Sequence, residues 1–234
     1  MRTRRVRCAA VAFVASLAFA QSTKAAQRSD ARAKVEAGNV FIVKNGHRRQ
    51  LTKLGRDFDA ALSPDGRFVV YTRGDRKPPP DDPSECKTGA GADQLRRVDI
   101  DGSNDRLLVA AHGGAQPPQQ LCRFEEKQFT SDGRRLFFLS PGWTTSAALH
   151  VYDLAKKIVR FVAPANAVIV LNFCTGKHRD ALVLNQHRYF LGGGSYDWYW
   201  LFDPSGRKEV GPVADDSAKR EEVADKARDT ICSP

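Results

Sequence analysis

Short alternating runs of apolar residues, separated by tight polar turns, predict that most of this chain is β-structure. The clearest examples are DAALSPDGRFVVYTR (59–73) and KQFTSDGRRLFFLS (127–140). In each segment a short alternating run precedes a Ser-(Pro)-Asp-Gly-Arg turn, and a dense run of β-branched and aromatic residues follows it. Gly66 and Gly133 supply the positive φ that such a turn needs, so both segments predict strand, turn, strand.

A second hairpin type alternates with the first and makes the repeating unit larger than one hairpin. The second type occurs at 39–54, 94–110, 148–163 and 199–213, and a degraded third copy of the first type occupies 172–185. Gly133 and Gly176, in equivalent turns, are 43 residues apart, close to the length of a propeller repeat. Two alternating hairpin types form a four-stranded antiparallel unit, and such units in series form a β-propeller.

The segment Ser63-Pro64-Asp65-Gly66-Arg67, with FVVY after it and VDIDGSNDRLLV downstream, resembles the propeller repeat of TolB-type periplasmic proteins, itself distantly similar to WD repeats. The resemblance covers about 38–213 and implies an all-β fold, a β-propeller-like array of four-stranded antiparallel blades. Three full units (about 55–109, 112–163 and 168–213) follow a leading half unit at 39–54. There are too few repeats for TolB's six blades and no room for its N-terminal domain, so its partner specificity does not carry over.

The segment 214–234 predicts a short helix rather than a further strand. It is polar and rich in Ala, Glu and Lys, with Val223, Ala227 and Ile231 on one face and Asp216 or Ser217 available as N-cap. Three arrangements therefore stay open: a small four-bladed ring, an open array whose edge the helix covers, or a homo-oligomer in which another chain completes the ring.

The first residues predict export from the cytoplasm. MRTRRVR is a basic n-region, 8–17 is apolar, and Ala18-Phe19-Ala20 fits signal peptidase, so 1–20 is predicted to be a signal peptide and 21–37 a flexible segment. The formal net charge of the whole chain is +10 and falls to +6 without residues 1–20, because four of the chain's 37 Lys and Arg lie in that segment. The signs are mixed, so neither a nucleic-acid partner nor a transmembrane segment is predicted, and the expected location is periplasmic or secreted.

Four cysteines remain after the signal, and in an exported chain they predict two disulfides. Three connectivities are possible from sequence alone. Cys86 and Cys122 lie in loops that flank one hairpin, which favours Cys86–Cys122, and Cys174–Cys232 would then tie down the C-terminal tail. A zinc site is the weaker alternative, because no two cysteines are close in sequence and no His has ligand spacing.

The long connections are predicted to share one face of the blades, where binding residues commonly lie. The aromatic content of that face is Trp143, Tyr196 and Trp198, with Asp197 between the last two, and the alternative is that these residues pack locally as core. Arg76 and Lys77, on the same face, would favour an acidic partner.

Enzymatic chemistry finds little support in the motifs. The run from Asp99 to Asp105 has the alternating oxygens of a calcium loop but lacks the closing Glu, so it is interpreted as a turn. No catalytic residue, metal or cofactor is predicted. The leading hypothesis is an exported binding or scaffold module for an envelope protein or peptide. The alternative is a lyase or hydrolase acting on an envelope polymer or peptide, with His112, His178 or His187 lining a central pocket.

Overall fold

The structure is a computed structural model that describes residues 31–74, Cys86 and 91–232. Sheet I contains β1 (Arg32–Glu36), β2 (Asn39–Lys44) and β3 (His47–Gln50). Sheet II contains β4 (Asp57–Leu62), β5 (Phe68–Arg73), β6 (Gln94–Asp99) and β7 (Arg106–Ala110). Sheet III contains β8 (Glu125–Phe129), β9 (Arg135–Trp143), β10 (Ser146–Asp153) and β11 (Ile158–Pro164). Sheet IV contains β12 (Ala167–Val170), β13 (Leu182–Tyr189), β14 (Ser195–Phe202) and β15 (Glu209–Ala214), and helix α1 (Arg220–Thr230) follows.

Each sheet is an antiparallel meander in which strands lie in chain order. Sheets II, III and IV have four strands each, so the predicted four-stranded unit is confirmed in all three. The innermost strands β4, β8 and β12 lie next to one another, as the inner strands of propeller blades do. The architecture is that of a β-propeller, with blades that follow one another in sequence.

Three apolar layers hold the sheets together, and alternation along each strand supplies both faces of a sheet. In β5, for example, Val69 and Tyr71 pack toward sheet I while Phe68 and Val70 pack toward sheet III. The layer between sheets III and IV contains Phe137, Leu149, Val168, Leu184 and Phe202. Strands buried on both faces explain why the sequence shows dense apolar runs there.

The predicted C-terminal helix is confirmed, and it covers the far face of sheet IV. Val223 and Ala227 are fully buried against Ile169, Leu171 and Val183. No sheet among the described residues contains strands from both ends of the chain. The helix therefore occupies the place where a further blade would pack. It begins at Arg220, later than the predicted caps, because Asp215 and Ser217 form a turn before it.

Sheet I departs from the prediction in one respect. Residues 32–36, at the end of the segment 21–37 that was predicted to be flexible, form strand β1 and pair with β2. Ala33 and Val35 pack into the layer between sheets I and II, and positive φ at Ala37 and Gly38 makes the tight turn. The leading half unit is thus a three-stranded sheet. The proposed signal peptide, 1–20, lies outside the described residues.

Both predicted disulfides are present. Cys86–Cys122 and Cys174–Cys232 have Cα–Cα distances of 5.6 and 4.8 Å. Two disulfides indicate an oxidising, extracytoplasmic location. Among the described residues, no helix has the length and apolar character to cross a membrane.

Candidate functional site

Strand connections lie at two opposite ends of the array. At the first end, which we call the turn-end surface, turns of neighbouring sheets contact one another. The Ser131 amide donates to Asp180 Oδ1 (2.6 Å), and Arg135 Nη1 donates to the Pro204 carbonyl (3.0 Å). The opposite end, the loop-end surface, carries the connections β5–β6, β7–β8, β9–β10, β11–β12, β13–β14 and β15–α1. An unbroken meander places alternate connections at opposite ends, which is why the longer segments gather at one end as predicted.

One long connection departs from this rule. Residues 171–181, between β12 and β13, lie at the turn end and contain the 3-10 turn Gly176–His178 instead of a tight hairpin turn. Loss of the Asp-Gly pair in this degraded copy removes the chemistry of a tight turn, and the chain takes a longer route.

The β13–β14 hairpin projects from the loop-end surface as a two-stranded arm, which we define as residues 186–198. Strand β12 pairs with β13 only from Leu182 to Asn185, and β15 pairs with β14 only from Tyr199 onward. Among the described strands, residues 186–189 and 195–198 therefore pair only with each other. Both edges of the arm are left without a neighbouring strand.

One face of the arm carries a row of aromatic rings. Ring centroids are 5.2 Å apart for Tyr196 and Trp198, 6.2 Å for Trp198 and Trp200, and 4.7 Å for Phe190 and Tyr196. Trp200 packs against the layer between sheets III and IV, and the Arg188 guanidinium lies 3.8 Å from its ring centroid. The row thus runs from the core to the tip: Trp200 packs against the core, and Tyr196 and Trp198 lie half-buried beyond it.

The tip of the arm is apolar and exposed. The exposed fraction is 70% for Tyr189, 56% for Phe190 and 111% for Leu191. Gly193 and Gly194, with φ of 96° and 87°, reverse the chain behind them. Three consecutive large apolar residues at an exposed tip are typical of an interaction site, whereas single exposed ones are ordinary.

Asp197 lies on the opposite face of the arm from Tyr196 and Trp198. Its Oδ1 is 3.1 Å from His187 Nδ1, and the His187 ring lies 5.0 Å from that of Tyr189. Successive side chains of a β-strand point to opposite faces, so Asp197 points away from its sequence neighbours Tyr196 and Trp198.

Trp143 belongs to a different aromatic group. It is the last residue of β9, is 40% exposed, and its ring centroid lies 6.1 Å from that of Phe161. Phe161 in turn lies 5.8 Å from the buried His150. Within the described part of the chain, no ring contact joins this group to the arm. Trp143 and Trp198 therefore give two separate aromatic positions at the loop end.

The described part of the loop-end surface carries an excess of acidic residues. Segments 51–57, 91–93, 111–126, 186–198 and 215–222 contain nine Asp or Glu, of which Asp57 is buried, and six Lys or Arg. Arg76 and Lys77, predicted to favour an acidic partner, lie outside the described residues, so their role stays a prediction.

Two strand bulges on the innermost strands carry a charged cluster that the sequence did not reveal. Pairing is interrupted between Phe58 and Ala61 in β4 and between Glu125 and Gln128 in β8. Positive φ occurs there at Asp59 (43°), Arg123 (61°), Phe124 (35°) and Glu126 (53°). Bulges of this kind redirect side chains. No glycine marks these positions, so sequence offered no signal for them.

Lys127 is the centre of this cluster. Its side chain is fully buried, and Nζ lies 2.7 Å from Asp59 Oδ2 and 2.7 Å from Thr72 Oγ1. It also donates to the Phe124 carbonyl. Burial lowers the pKa of Lys127, and the Asp59 carboxylate opposes that shift. An ammonium group has three donors, and all three are used inside the protein.

Glu126 connects the cluster to helix α1. Its carboxylate accepts from Arg220 Nη1 (2.8 Å) and from the Val168 amide (3.2 Å). Burial raises the pKa of Glu126, and Arg220 opposes the shift. The first turn of α1 is therefore fixed to the inner strands of sheets III and IV.

The histidines of the enzyme alternative do not converge. His178 lies at the turn end, whereas His112 and His187 lie at the loop end, and His187 is on the arm. In the described ranges, no group of three or more His, Cys, Asp or Glu side chains is placed to hold a metal ion. Asp99 and Asp101 accept from Asn104 and Ser103 in the β6–β7 connection, which confirms the turn interpretation of that segment.

Comparisons with known proteins assign this chain to no family. No protein-family model matches the chain, and no curated protein matches it. Similar structures include the β-propeller domain of the Trilobed protease from Pyrococcus furiosus (14% identity, TM-score 0.47, 74% of this chain and 47% of that one). TolB from Acinetobacter baumannii matches at 11% identity and TM-score 0.36 over 79% of this chain and 51% of that one.

A gluconolactonase from Xanthomonas campestris matches at 14% identity and TM-score 0.49, over 80% of this chain and 58% of that one. The chain thus spans about half the length of the structures it matches. The propeller class rests on this chain's own sheets. Both binding proteins and enzymes have this fold, so fold alone assigns no activity.

Proposed function

We propose that this protein is an exported β-propeller binding module that contacts a protein or peptide of the cell envelope through its loop-end surface. The observation that carries the proposal is the arm, which projects past its neighbouring strands and ends in exposed Tyr189, Phe190 and Leu191. Export is supported by the two disulfides and by the n-region, apolar run and Ala18-Phe19-Ala20 of the sequence.

The aromatic row supports a contact role for the arm. Trp and Tyr bring large, rigid contact area at low entropic cost, and they are enriched where interfaces are strongest. Arg188 is held over Trp200 by hydrogen bonds to Gln186 and an ion pair with Glu209 (2.6 Å). A scaffold that fixes the row in this way reduces the ordering cost of binding.

The acidic loop-end surface defines the partner's chemistry further. An excess of carboxylates at the end of the molecule from which the apolar tip projects is complementary to a partner that combines basic and apolar residues. This differs from the acidic partner that Arg76 and Lys77 suggest, and the partner's charge distinguishes the two hypotheses.

The test is a crosslinked pull-down from the native envelope fraction, followed by affinity measurement with each captured partner in purified form. The arm variant is Phe190→Ser with Leu191→Ser. The matched control is Leu107→Ser with Ile158→Ser, which are both 48% exposed and lie away from the arm. We expect the arm variant to lose the partner with an unchanged Tm, and the control to retain it. Equal binding by all three proteins would overturn the arm as the contact element.

The enzyme alternative keeps one specific observation, the strained charged cluster on β4 and β8. Strained backbone is common at active sites. The cluster's charges are nevertheless paired with one another, Lys127 with Asp59 and Glu126 with Arg220, and Lys127 is inaccessible. If the cluster were the active site of a hydrolase or lyase, Glu126→Gln would abolish turnover of an envelope polymer without lowering Tm. We expect instead that the wild-type protein shows no turnover and that Glu126→Gln lowers Tm.

A further inference from the structure

The turn-end surface carries a concentration of positive charge that the binding function does not use. Segments 44–49, 63–67, 99–106, 130–135, 153–157, 174–180 and 203–208 contain thirteen Lys or Arg and eight Asp. The described loop-end segments have the opposite balance. The molecule is therefore electrically polarised along the axis that joins its two ends.

The local chemistry of the turns separates the two signs of charge. Turn aspartates accept hydrogen bonds from their own turns: Asp132 from the Thr130 hydroxyl and the Arg134 amide, and Asp203 from the Arg207 and Lys208 amides. These carboxylates are consequently directed back onto the backbone. The basic side chains that follow them extend outward, and the Arg134 side chain is 82% exposed.

Several of these cations lack a counter-ion. Arg67 and Arg134 approach the Asp of their own turn only to 4.0 Å. Within the described residues, an ion pair is absent for Lys156, Lys157 and Lys177, and all three are exposed. An unpaired surface charge can approach an anionic partner without first breaking an existing ion pair.

The shape and composition of the surface indicate the kind of partner. The turns of sheets III and IV are joined by hydrogen bonds. The β4–β5 turn of sheet II lies beside them, since a Cβ placed on Gly133 would be 3.4 Å from Pro64 Cδ. The seven turn segments contain no Phe, Trp or Tyr. Phe173, next to one of them, is half-buried, and the Arg228 guanidinium lies 4.9 Å from its ring centroid, so these turns offer bases no exposed stacking platform. A broad face of separate cations, without a groove, fits a planar array of phosphates better than a single strand.

We infer that the turn-end surface docks on a bilayer surface that contains anionic phospholipid. Binding would be electrostatic and reversible, since no apolar residue of these turns is available to enter the lipid. Such docking would direct the arm away from the membrane. The inference is independent of the proposed partner of the arm.

The test is co-sedimentation of the oxidised mature protein with vesicles of phosphatidylcholine alone, or of phosphatidylcholine in which roughly one lipid in three is phosphatidylglycerol. The turn variant is Arg67→Gln, Arg134→Gln and Lys156→Gln. The matched control removes the same charge from the other end: Lys53→Gln, Arg123→Gln and Lys219→Gln. We expect wild type to bind only the anionic vesicles and to be released at high salt.

The two triple variants decide the location of the site. We expect the turn variant to lose roughly 30-fold or more in vesicle partitioning and the control to lose less than about threefold. Equal losses would show a general charge effect and overturn the inference, as would equal binding to neutral vesicles. A parallel binding measurement with duplex DNA at matched phosphate concentration completes the test. Preference for DNA over the anionic vesicles would also overturn the inference.

Discussion

Aspartate is the residue that organises most of the hairpin turns. Asp65, Asp132, Asp153 and Asp203 each accept a hydrogen bond from at least one backbone amide of their own turn. Because these hydrogen bonds are short-range, the turns share an aspartate, and its recurrence makes the repeat recognisable in the sequence. Where the Asp-Gly pair is missing, at 171–181, the tight turn is missing too.

The turn aspartates predict loss of stability in acid. Partial burial raises the pKa of Asp203, but hydrogen bonds from the Lys208 amide, the Ser205 hydroxyl and the Arg207 amide outweigh it and leave the pKa lowered. Its stabilising contribution is therefore complete above about pH 5 and is lost as the pH falls below the unfolded value near ~3.9. We expect Asp203→Asn, which keeps the acceptor oxygen, to reduce the difference in urea midpoint between neutral and acidic buffer. Wild-type pH dependence in the variant would contradict this.

The buried Lys127 predicts unequal effects for the two halves of its ion pair. Asp59→Ala leaves a buried ammonium without its carboxylate and should cost about 2–4 kcal/mol, less than a fully buried pair because Asp59 is 36% exposed. Lys127→Met removes the charge together with its desolvation cost and should change the free energy of unfolding by less than about 1 kcal/mol. Urea unfolding of both variants and of the double variant tests this. Equal losses in the two single variants would show that the pair itself, rather than the buried charge, dominates.

At the scale of elements, the four-stranded units and the C-terminal helix follow from sequence because their signals are local. Alternation, Asp-Gly turns and a polar, Ala-rich tail each determine structure within about a dozen residues. The arm and the inner-strand bulges do not follow from sequence, since both depend on where a neighbouring strand ends. GGGSYDW (192–198) predicts a loop, whereas its last four residues begin β14 and pair with β13 beyond the point where β15 ends. Nothing in the sequence distinguishes Asp59 and Glu126 from other strand residues; their position in bulges is defined only by the pairing of β4 and β8 with their neighbouring strands.

Helix α1 is joined covalently to sheet IV, which predicts how it responds to reduction. Cys174–Cys232 closes a loop of 58 residues, for which chain entropy gives roughly 4 kcal/mol, with about 2–4 kcal/mol typical of measured cases. We expect Cys174→Ser with Cys232→Ser to lose stability of this order. Hydrogen exchange should accelerate first in α1, while amides of sheets I and II stay protected. Uniform acceleration across all four sheets would mean that the bond stabilises the whole array rather than the helix.

At the scale of the molecule, the blades stack as repeats whose ends need protection. At one end, the far face of sheet I is covered by its own residues, because the Arg48 guanidinium lies 3.7 Å from the Phe41 ring centroid and pairs with Glu36 (2.6 Å). At the other end the cover is a separate element, α1. The two covers thus differ: one is part of sheet I itself, whereas α1 is a separate element that can be removed without disturbing a sheet.

Removing that cover should turn the last blade into an association surface. Val223→Asp places a carboxylate in the fully buried layer between α1 and sheet IV, so the helix should detach and expose Ile169, Leu171 and Val183. Because that face is shaped to receive a packed layer, the exposed sheets should associate, and sedimentation velocity should show species larger than the monomer at micromolar concentration. Thr230→Asp, at an exposed position of the same helix, is the control and should stay monomeric. A discrete closed dimer would support completion of the ring by a second copy, whereas a destabilised but monomeric Val223→Asp protein would show that α1 is not what keeps the array from growing.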